Sequence, residues 1–295
     1  MKSANLPLVI IAGPTASGKS AHALRLAASG NGVIINADAS QVYRDLKILS
    51  ARPSAADEAR IPHRLFGHVD GAEPHTAARW MAAAKTEISA AQQSGQLPIL
   101  VGGTGLYLNS LLYGLSPIPD IPPAIRAEIR ALPKTAVRAA VLAEDAVMAA
   151  RLHANDHQRN ARALEVIRAT GQSLAIWQQR PRAGGIGAQL RLDASVIEIG
   201  RETLGARIDQ RIAIMWQQGA LAEVRTLAER QLAPDCPILR AIGVPPLLAL
   251  LRGEIDTDTA LQRWRLDTRA YAKRQSTWFR NQTPDWPRLT LPPGG

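Results

Sequence analysis

The stretch LVIIAGPTASGKSAHALRLAA, residues 8–28, decides the fold. Leu8 to Ala12 is a short, continuous apolar run ending at a glycine, and Ser20 to Ala28 continues as a helix-favouring stretch. Between them, Gly13-Pro14-Thr15-Ala16-Ser17-Gly18-Lys19-Ser20 fits G-x-x-x-x-G-K-[ST] in the strand–loop–helix context that a phosphate-binding loop requires. Its glycines let successive backbone N–H groups face one anion, and the helix N-terminus adds a partial positive charge. Lys19 supplies a point charge, and Ser20 is placed to hold a Mg²⁺ that shares the phosphate oxygens.

Two further apolar runs extend this pattern. Val33 to Ile35 stops at Asn36-Ala37-Asp38, and Ile99 to Val101 stops at Gly102-Gly103-Thr104-Gly105 before a helical Leu106 to Tyr113. Both read as buried parallel strands of an α/β sheet, whose carboxyl ends share one edge. Asp38, Thr104 and the first glycine loop therefore converge on one crevice. A phosphate loop normally works with a second strand ending in an acid that orients magnesium for nucleotide hydrolysis. Here that strand ends in Gly-Gly-Thr, and Asp38 is the acid available. Two roles stay open for it: metal orientation in a kinase or ATPase, or a general base facing an acceptor while the loop holds a pyrophosphate that leaves whole.

The segment SPIPDIPP, residues 116–123, forbids helix and favours an extended connector, so a domain boundary is placed there. The expected division is a core of 1–117 and 196–295 with an inserted helical domain, 118–195. Within the insert, Ala124 to Gln179 reads as helical, with Asn155-Asp156 as an N-cap, and PRAGGIGAQ, 181–189, reads as a flexible return. Ser195 to Ile199 reads as a last strand, followed by amphipathic helix up to about Arg280.

Composition limits the alternatives. A chain of 295 residues that is 46% hydrophobic, with one cysteine, is neither a disulfide scaffold nor a disordered or collagen-like chain. Cys236 reads as a small buried apolar residue. Aromatics make up only 4%, so aliphatics and alanine must build the core. The start, MKSANLPLVIIAG, has too short an apolar run for a signal peptide, and nowhere do about 18 consecutive apolar residues occur, so a cytoplasmic protein without membrane association is expected. The formal net charge is +10, with 14 Lys/Arg against 11 Asp/Glu up to residue 150 and 21 against 14 beyond it. This suits a polyanionic partner, although 29 arginines against 6 lysines also fits a GC-rich genome. Arg263 to Arg280 carries six Lys/Arg with Trp264, Tyr271, Trp278 and Phe279 interleaved. Rings stacking on bases is one reading of that segment, and a surface helix with its aromatics toward the core is the preferred one. The pairs His153/His157 and His63/His68 lack H-E-x-x-H spacing and read as capping or packing residues.

Five motifs fall into one order: GPTASGKS (13–20), NADASQVY (36–43), LPILVGGTGLYLNSLLYGL (97–115), RLHANDHQRNARALEV (151–166) and TRAYAKRQSTWFR (268–280). Together they resemble the tRNA dimethylallyltransferase, or tRNA isopentenyltransferase, family from about residue 8 to residue 282. The resemblance implies a phosphate-loop core of the P-loop NTPase type with an inserted helical domain. It also implies transfer of a dimethylallyl group from its diphosphate to the exocyclic amine of the adenine 3′ of the anticodon. On this resemblance Gly13, Pro14, Thr15, Ala16, Ser17, Gly18, Lys19 and Ser20 hold the diphosphate with Mg²⁺, in what has the form of an ATP site. Arg207 and Arg211 join them from a segment similar to the family's R-x-x-L-x-x-R-I-x-x-R pattern. Asp38 is the general base, and Thr104 and Arg126 assist placement at the catalytic channel. Asp38, Ala39, Ser40 and Gln41 contact tRNA, as do Gln158, Arg159, Asn160, Ala161 and Arg162. Further tRNA contacts fall on Arg240 and Gly243, and on Lys273, Arg274, Gln275, Thr277, Trp278 and Arg280. The partners implied are the tRNA anticodon arm and dimethylallyl diphosphate, acted on by a monomer. The chain departs from the family pattern at Ala39, at Leu49-Ser50-Ala51-Arg52-Pro53 and at Ile242-Gly243-Val244-Pro245-Pro246. A small-molecule kinase, a transferase acting on free adenine nucleotides and a non-enzymatic RNA-binding protein are the competing readings. The kinase leaves the basic second half unexplained, and the free-nucleotide enzyme needs neither the NDHQR nor the KRQSTWFR segment.

Overall fold

The computed structural model describes residues 6–292, so the first five residues of the opening segment lie outside it. The chain divides into two compact units: the residues up to Leu112 together with those from Ile186 onward, and Tyr113–Gly185.

In the first unit the order is β1 (Leu6–Ala12), α1 (Lys19–Ser29), β2 (Gly32–Asn36), α2 (Ala55–Arg60), β3 (His63–Arg64), α3 (Ala77–Gln93), β4 (Leu97–Gly102) and α4 (Gly105–Tyr113). The second unit supplies α5 (Pro123–Ala131), α6 (Lys134–Glu144), α7 (Ala146–Arg151), α8 (His157–Thr170) and α9 (Leu174–Gln179). The chain then returns to the first unit through β5 (Leu190–Glu198), α10 (Arg201–Gln217), α11 (Ala220–Glu229), α12 (Val244–Leu251), α13 (Thr257–Gln282) and β6 (Arg288–Thr290).

The six strands form one parallel sheet in the order β3-β2-β4-β1-β5-β6. All five residues of β2 are buried, as is β4 from Pro98 onward, because helices cover both faces of a parallel sheet. The larger core, around Leu8, Ile10, Ile35 and Leu100, lies against α3, α4 and α10–α13. The smaller, around Ile11, Ile34 and Ile99, packs against α1 through Ala23 and Ala27. The three strands read from the sequence all belong to this sheet, and the strand expected at Ser195–Ile199 begins earlier, at Leu190. Residues Leu190 to Ala194 pair with β1, so the expected insert of 118–195 takes in part of the core sheet.

In the second unit, Ile121, Met148, Ala163, Val166 and Trp177 form one cluster, and Ile129, Val137, Val141 and Leu164 another. Asp156 caps α8 by accepting the N–H of Arg159. The Asp145 carboxylate, buried, caps α7 and takes the Ser173 hydroxyl at 2.8 Å.

Candidate active site

The anion loop lies where β1 hands over to α1. Gly18 caps α1 with φ at 92°, a left-handed backbone that favours glycine. Lys19 folds back over the loop, its Nζ donating to the Pro14 carbonyl at 3.2 Å. Burial and the neighbouring Arg211 guanidinium lower the Lys19 pKa to about 8 against a raising contribution from Asp38. Burial likewise lowers Arg211 below the usual guanidinium range, with Asp38 opposing. Arg207 donates to the Ser17 carbonyl at 3.4 Å. Two half-buried cations that act on one another, with one carboxylate nearby, form a cradle suited to an added anion. The Ser17 hydroxyl is buried with no hydrogen-bond partner, a loop donor left for a ligand to satisfy.

Asp38 follows the end of β2 and is braced from below. Asn36, fully buried, accepts the Asp38 N–H at 2.8 Å and donates to the carbonyls of Asp38 and Leu65, each at 3.0 Å. The Trp80 indole donates to the Asn36 carbonyl at 2.8 Å and stacks on Tyr107. One Asp38 oxygen accepts the Ser40 N–H at 2.9 Å. Thr104, just beyond β4, accepts the Ala39 N–H at 2.9 Å and donates its own N–H to the Ala37 carbonyl at 3.2 Å. The expected convergence of the loop, Asp38 and Thr104 at one sheet edge is what the structure has.

A cavity of about 60 Å³ opens there. Thr15, Asp38, Ser40 and Arg211 give it polar walls, while Leu49, Ile208, Ile212 and Met215 are among its apolar ones. Beside it lies a wider groove lined by Gly18, Lys47, Arg52, Arg207 and Arg211. The cavity thus has a cationic end, a carboxylate and an aliphatic lining, an arrangement for a ligand with an anionic head and a hydrocarbon tail.

Several sequence-expected contact residues are positioned differently from a surface contact. Gln275 is 4% exposed; its Oε1 accepts the Thr15 N–H at 2.8 Å and its Nε2 donates to the Gly103 carbonyl at 3.0 Å. Asn160, 1% exposed, donates to the carbonyls of His153 and Asp156 and accepts from Arg138, all within the second unit. Gly243 is buried against Trp264. The Gln41 amide donates to the carbonyls of Ser50 and Ala51, both at 2.9 Å. The Trp278 ring lies against Gly105. By contrast Lys273, Arg274, Thr277 and Arg280 on α13, and Arg240 before α12, are exposed. In the second unit Gln158 and Arg159 are exposed, Arg126, Ala161 and Arg162 are half-buried, and Arg159 and Arg162 pair with Asp156 and Glu165. Trp264 and Phe279 belong to the core, in line with the packing reading of their segment.

Sequence reasoning missed Asn36, Trp80 and Glu223 as supports of the site. Glu223 on α11 accepts three consecutive N–H groups, Lys47 at 2.6 Å, Ile48 at 2.7 Å and Leu49 at 2.9 Å, and so holds the loop that walls the cavity. No local pattern marks a carboxylate whose partners lie about 175 residues away. Cys236 is buried. Among the described residues no group of three His, Cys, Asp or Glu is arranged to hold a metal ion, and no helix is long and apolar enough to cross a membrane.

Comparison with known proteins agrees with this geometry. The family model described as IPP transferase matches residues 41–282, and that described as isopentenyl transferase matches residues 6–66. The tRNA dimethylallyltransferase of Sphingopyxis alaskensis is 53% identical over 95% of this chain and 92% of its own. That of Zymomonas mobilis is 51% identical over 95% of this chain and 89% of its own. The crystal structure of the Bacillus halodurans tRNA isopentenylpyrophosphate transferase superposes with a TM-score of 0.68 at 32% identity, covering 96% of this chain and 89% of that one. A eukaryotic dimethylallyltransferase caught acting on tRNA gives 0.75 at 26% identity, over 97% of this chain and 74% of that one. With a family model matched over most of its length and relatives about half identical across nearly all of it, this chain belongs to the tRNA dimethylallyltransferase family.

Proposed function

We propose that this protein transfers a dimethylallyl group from dimethylallyl diphosphate to the exocyclic amine of the adenine 3′ of the anticodon in tRNA. The observation that carries the reading is the single cavity that puts Asp38, Thr15, Arg211 and an aliphatic lining together. A kinase site has no need of such a lining beside its phosphate cradle. Family membership selects tRNA over free nucleotide, and the exposed Lys273, Arg274 and Arg280 supply a basic face for its backbone.

The chemistry follows from two difficulties. An adenine amine is a weak nucleophile because its lone pair is delocalised into the ring. Asp38 accepts its proton as the new N–C bond forms, which removes the rising positive charge. An allylic C–O bond breaks only if the departing diphosphate is neutralised, and loop N–H groups other than that of Thr15, which donates to Gln275, do so together with Lys19, Arg207 and Arg211. Thr104 holds the Asp38 loop in place through Ala39. The base must leave the anticodon stack to reach this site, and Arg126, Gln158, Arg159 and Arg162 of the second unit are assigned to gripping the arm.

Magnesium is assigned as the metal. The exposed Ser20 hydroxyl at the start of α1 would hold it, and with no group of three His, Cys, Asp or Glu among the described residues this fits an ion that keeps several waters and takes its remaining ligands from substrate phosphates. When bound it would add charge neutralisation at the leaving diphosphate. We place the enzyme in the cytoplasm with its tRNA substrate, acting as a monomer.

The test is label transfer from radiolabelled dimethylallyl diphosphate, with Mg²⁺, to unmodified bulk tRNA and in parallel to AMP and ATP. Label in tRNA alone is expected. Label in free nucleotide replaces the reading with a small-acceptor transferase, and no label in any acceptor returns the loop to a nucleotide.

A further inference from the structure

Helix α13 presents the KRQSTWFR segment to two different environments. Lys273, Arg274, Thr277 and Arg280 face solvent, whereas Gln275 and Phe279 are buried and Tyr271 and Trp278 partly so. Gln275 joins two loops: it accepts from Thr15 in the anion loop and donates to Gly103 in the loop after β4. The fit there is tight. A Cβ on Gly103 would stand 2.0 Å from Gln275 Nε2, so the glycine is needed for the amide to reach the backbone.

The connection continues past Gly103. Its neighbour Thr104 receives the Ala39 N–H, which fixes the turn that carries Asp38. The Tyr271 hydroxyl, one helical turn before Gln275, lies beside Thr104 and Gln275, and burial raises its pKa. An unbroken path therefore runs from Thr15 through Gln275, Gly103, Thr104 and Ala39 to Asp38. Thr15 and Asp38 both line the cavity where donor and acceptor meet on the proposed reading. A side-chain amide suits this place because one end must accept and the other donate; a leucine of similar bulk does neither, and a carboxylate only accepts.

We infer that Gln275 is a positioning residue for group transfer, setting the separation between the diphosphate loop and the Asp38 turn, and that it does not serve as an RNA contact. The inference rests on the proposed transfer reaction. Because misplacing reacting groups by about 1 Å costs on the order of 100-fold in rate, loss of the bridge acts on turnover.

The experiment compares Gln275→Leu and Gln275→Glu with the wild type, using labelled dimethylallyl diphosphate at saturation and tRNA as acceptor. Gln275→Leu should lower kcat by about 100-fold, with KM for tRNA unchanged. Gln275→Glu supplies the readout that a packing role cannot move. Its carboxylate repels the Gly103 carbonyl, but once protonated it donates to it as the amide does. Its kcat relative to wild type at the same pH should therefore rise as pH falls from about 8.5 to about 6, a buried carboxyl being raised into that range. The corresponding ratio for Gln275→Leu should stay flat. If the leucine variant does not fold, the two ends of the Gln275→Glu profile make the comparison within one protein.

A flat Gln275→Glu ratio overturns the inference, as does a Gln275→Leu kcat close to wild type. So does a defect confined to KM for tRNA, which would make Gln275 an RNA contact after all. A wild-type enzyme that labels no tRNA refutes the transfer reading itself, before any variant is compared.

Discussion

Raising the pH should strip the diphosphate site of one of its two half-buried cations, Lys19 and Arg211. Lys19 is held near a pKa of about 8 by burial and by Arg211 beside it, whereas Arg211, although lowered, stays protonated across the working range. In the free enzyme Lys19 is then about nine-tenths protonated at pH 7 and about one-tenth at pH 9. A bound diphosphate, by adding negative charge next to Nζ, restores the proton, so binding at high pH must first recover it. Affinity should fall about tenfold between pH 7 and pH 9, or about 1.4 kcal/mol, with the fall setting in near pH 8 and steepening above it. The assay is calorimetric titration with inorganic pyrophosphate and Mg²⁺ in buffers of different ionisation enthalpy, which also counts the protons taken up. Lys19→Arg keeps its charge throughout and shares the ligand's own titration, so it isolates the lysine. Equal pH dependence in wild type and Lys19→Arg would refute the reasoning.

Other expectations follow from the same contacts. Glu223→Ala leaves three backbone N–H groups of the 47–49 loop without their carboxylate, and unfolding in urea should show a loss of about 2 kcal/mol together with a higher KM for dimethylallyl diphosphate. Asn36→Ala orphans the Asp38 N–H and removes the donor to the Asp38 and Leu65 carbonyls; it should cost about 3 kcal/mol of stability, whereas Trp80→Phe, which removes one indole donor, should cost about 1 kcal/mol. Neutralising Arg159 and Arg162 together should reduce the slope of log affinity for tRNA against log salt by about 1 to 2 without changing pyrophosphate binding, and an unchanged slope would remove both from the interface.

What was legible in the sequence divides along physical lines. The strands at Leu8–Ala12, Val33–Ile35 and Ile99–Val101 announce themselves because a parallel strand covered on both faces must be continuously apolar. The start of β5 does not, since Arg191 and Asp193 are exposed near the end of the sheet and break the apolar run. His63–Arg64 and Arg288–Thr290 are strands only because β2 and β5 offer them partners, which no local pattern records. In the site, the glycine loop, Asp38 and Thr104 were legible because their spacing is set by local geometry. The motif around Gln275 and Asn160 was found, but a motif fixes residue identity and leaves orientation open. Both side chains turn inward, Gln275 onto backbone groups distant in sequence and Asn160 onto the nearby carbonyls of His153 and Asp156. Glu223 and Trp80 stayed hidden for the same reason, since their function exists only in the folded contact.

The central claim is that one crevice holds the diphosphate on the loop and draws the proton from the acceptor onto Asp38. Single-turnover transfer to tRNA by Asp38→Asn, measured beside pyrophosphate binding by the same protein, tests it most directly. Transfer should fall by about 100- to 10,000-fold, the range expected for loss of a general base, while pyrophosphate affinity stays close to that of the wild type. Transfer near the wild-type rate, or loss of transfer and of pyrophosphate binding in parallel, would contradict the account and give Asp38 a metal-holding or structural role.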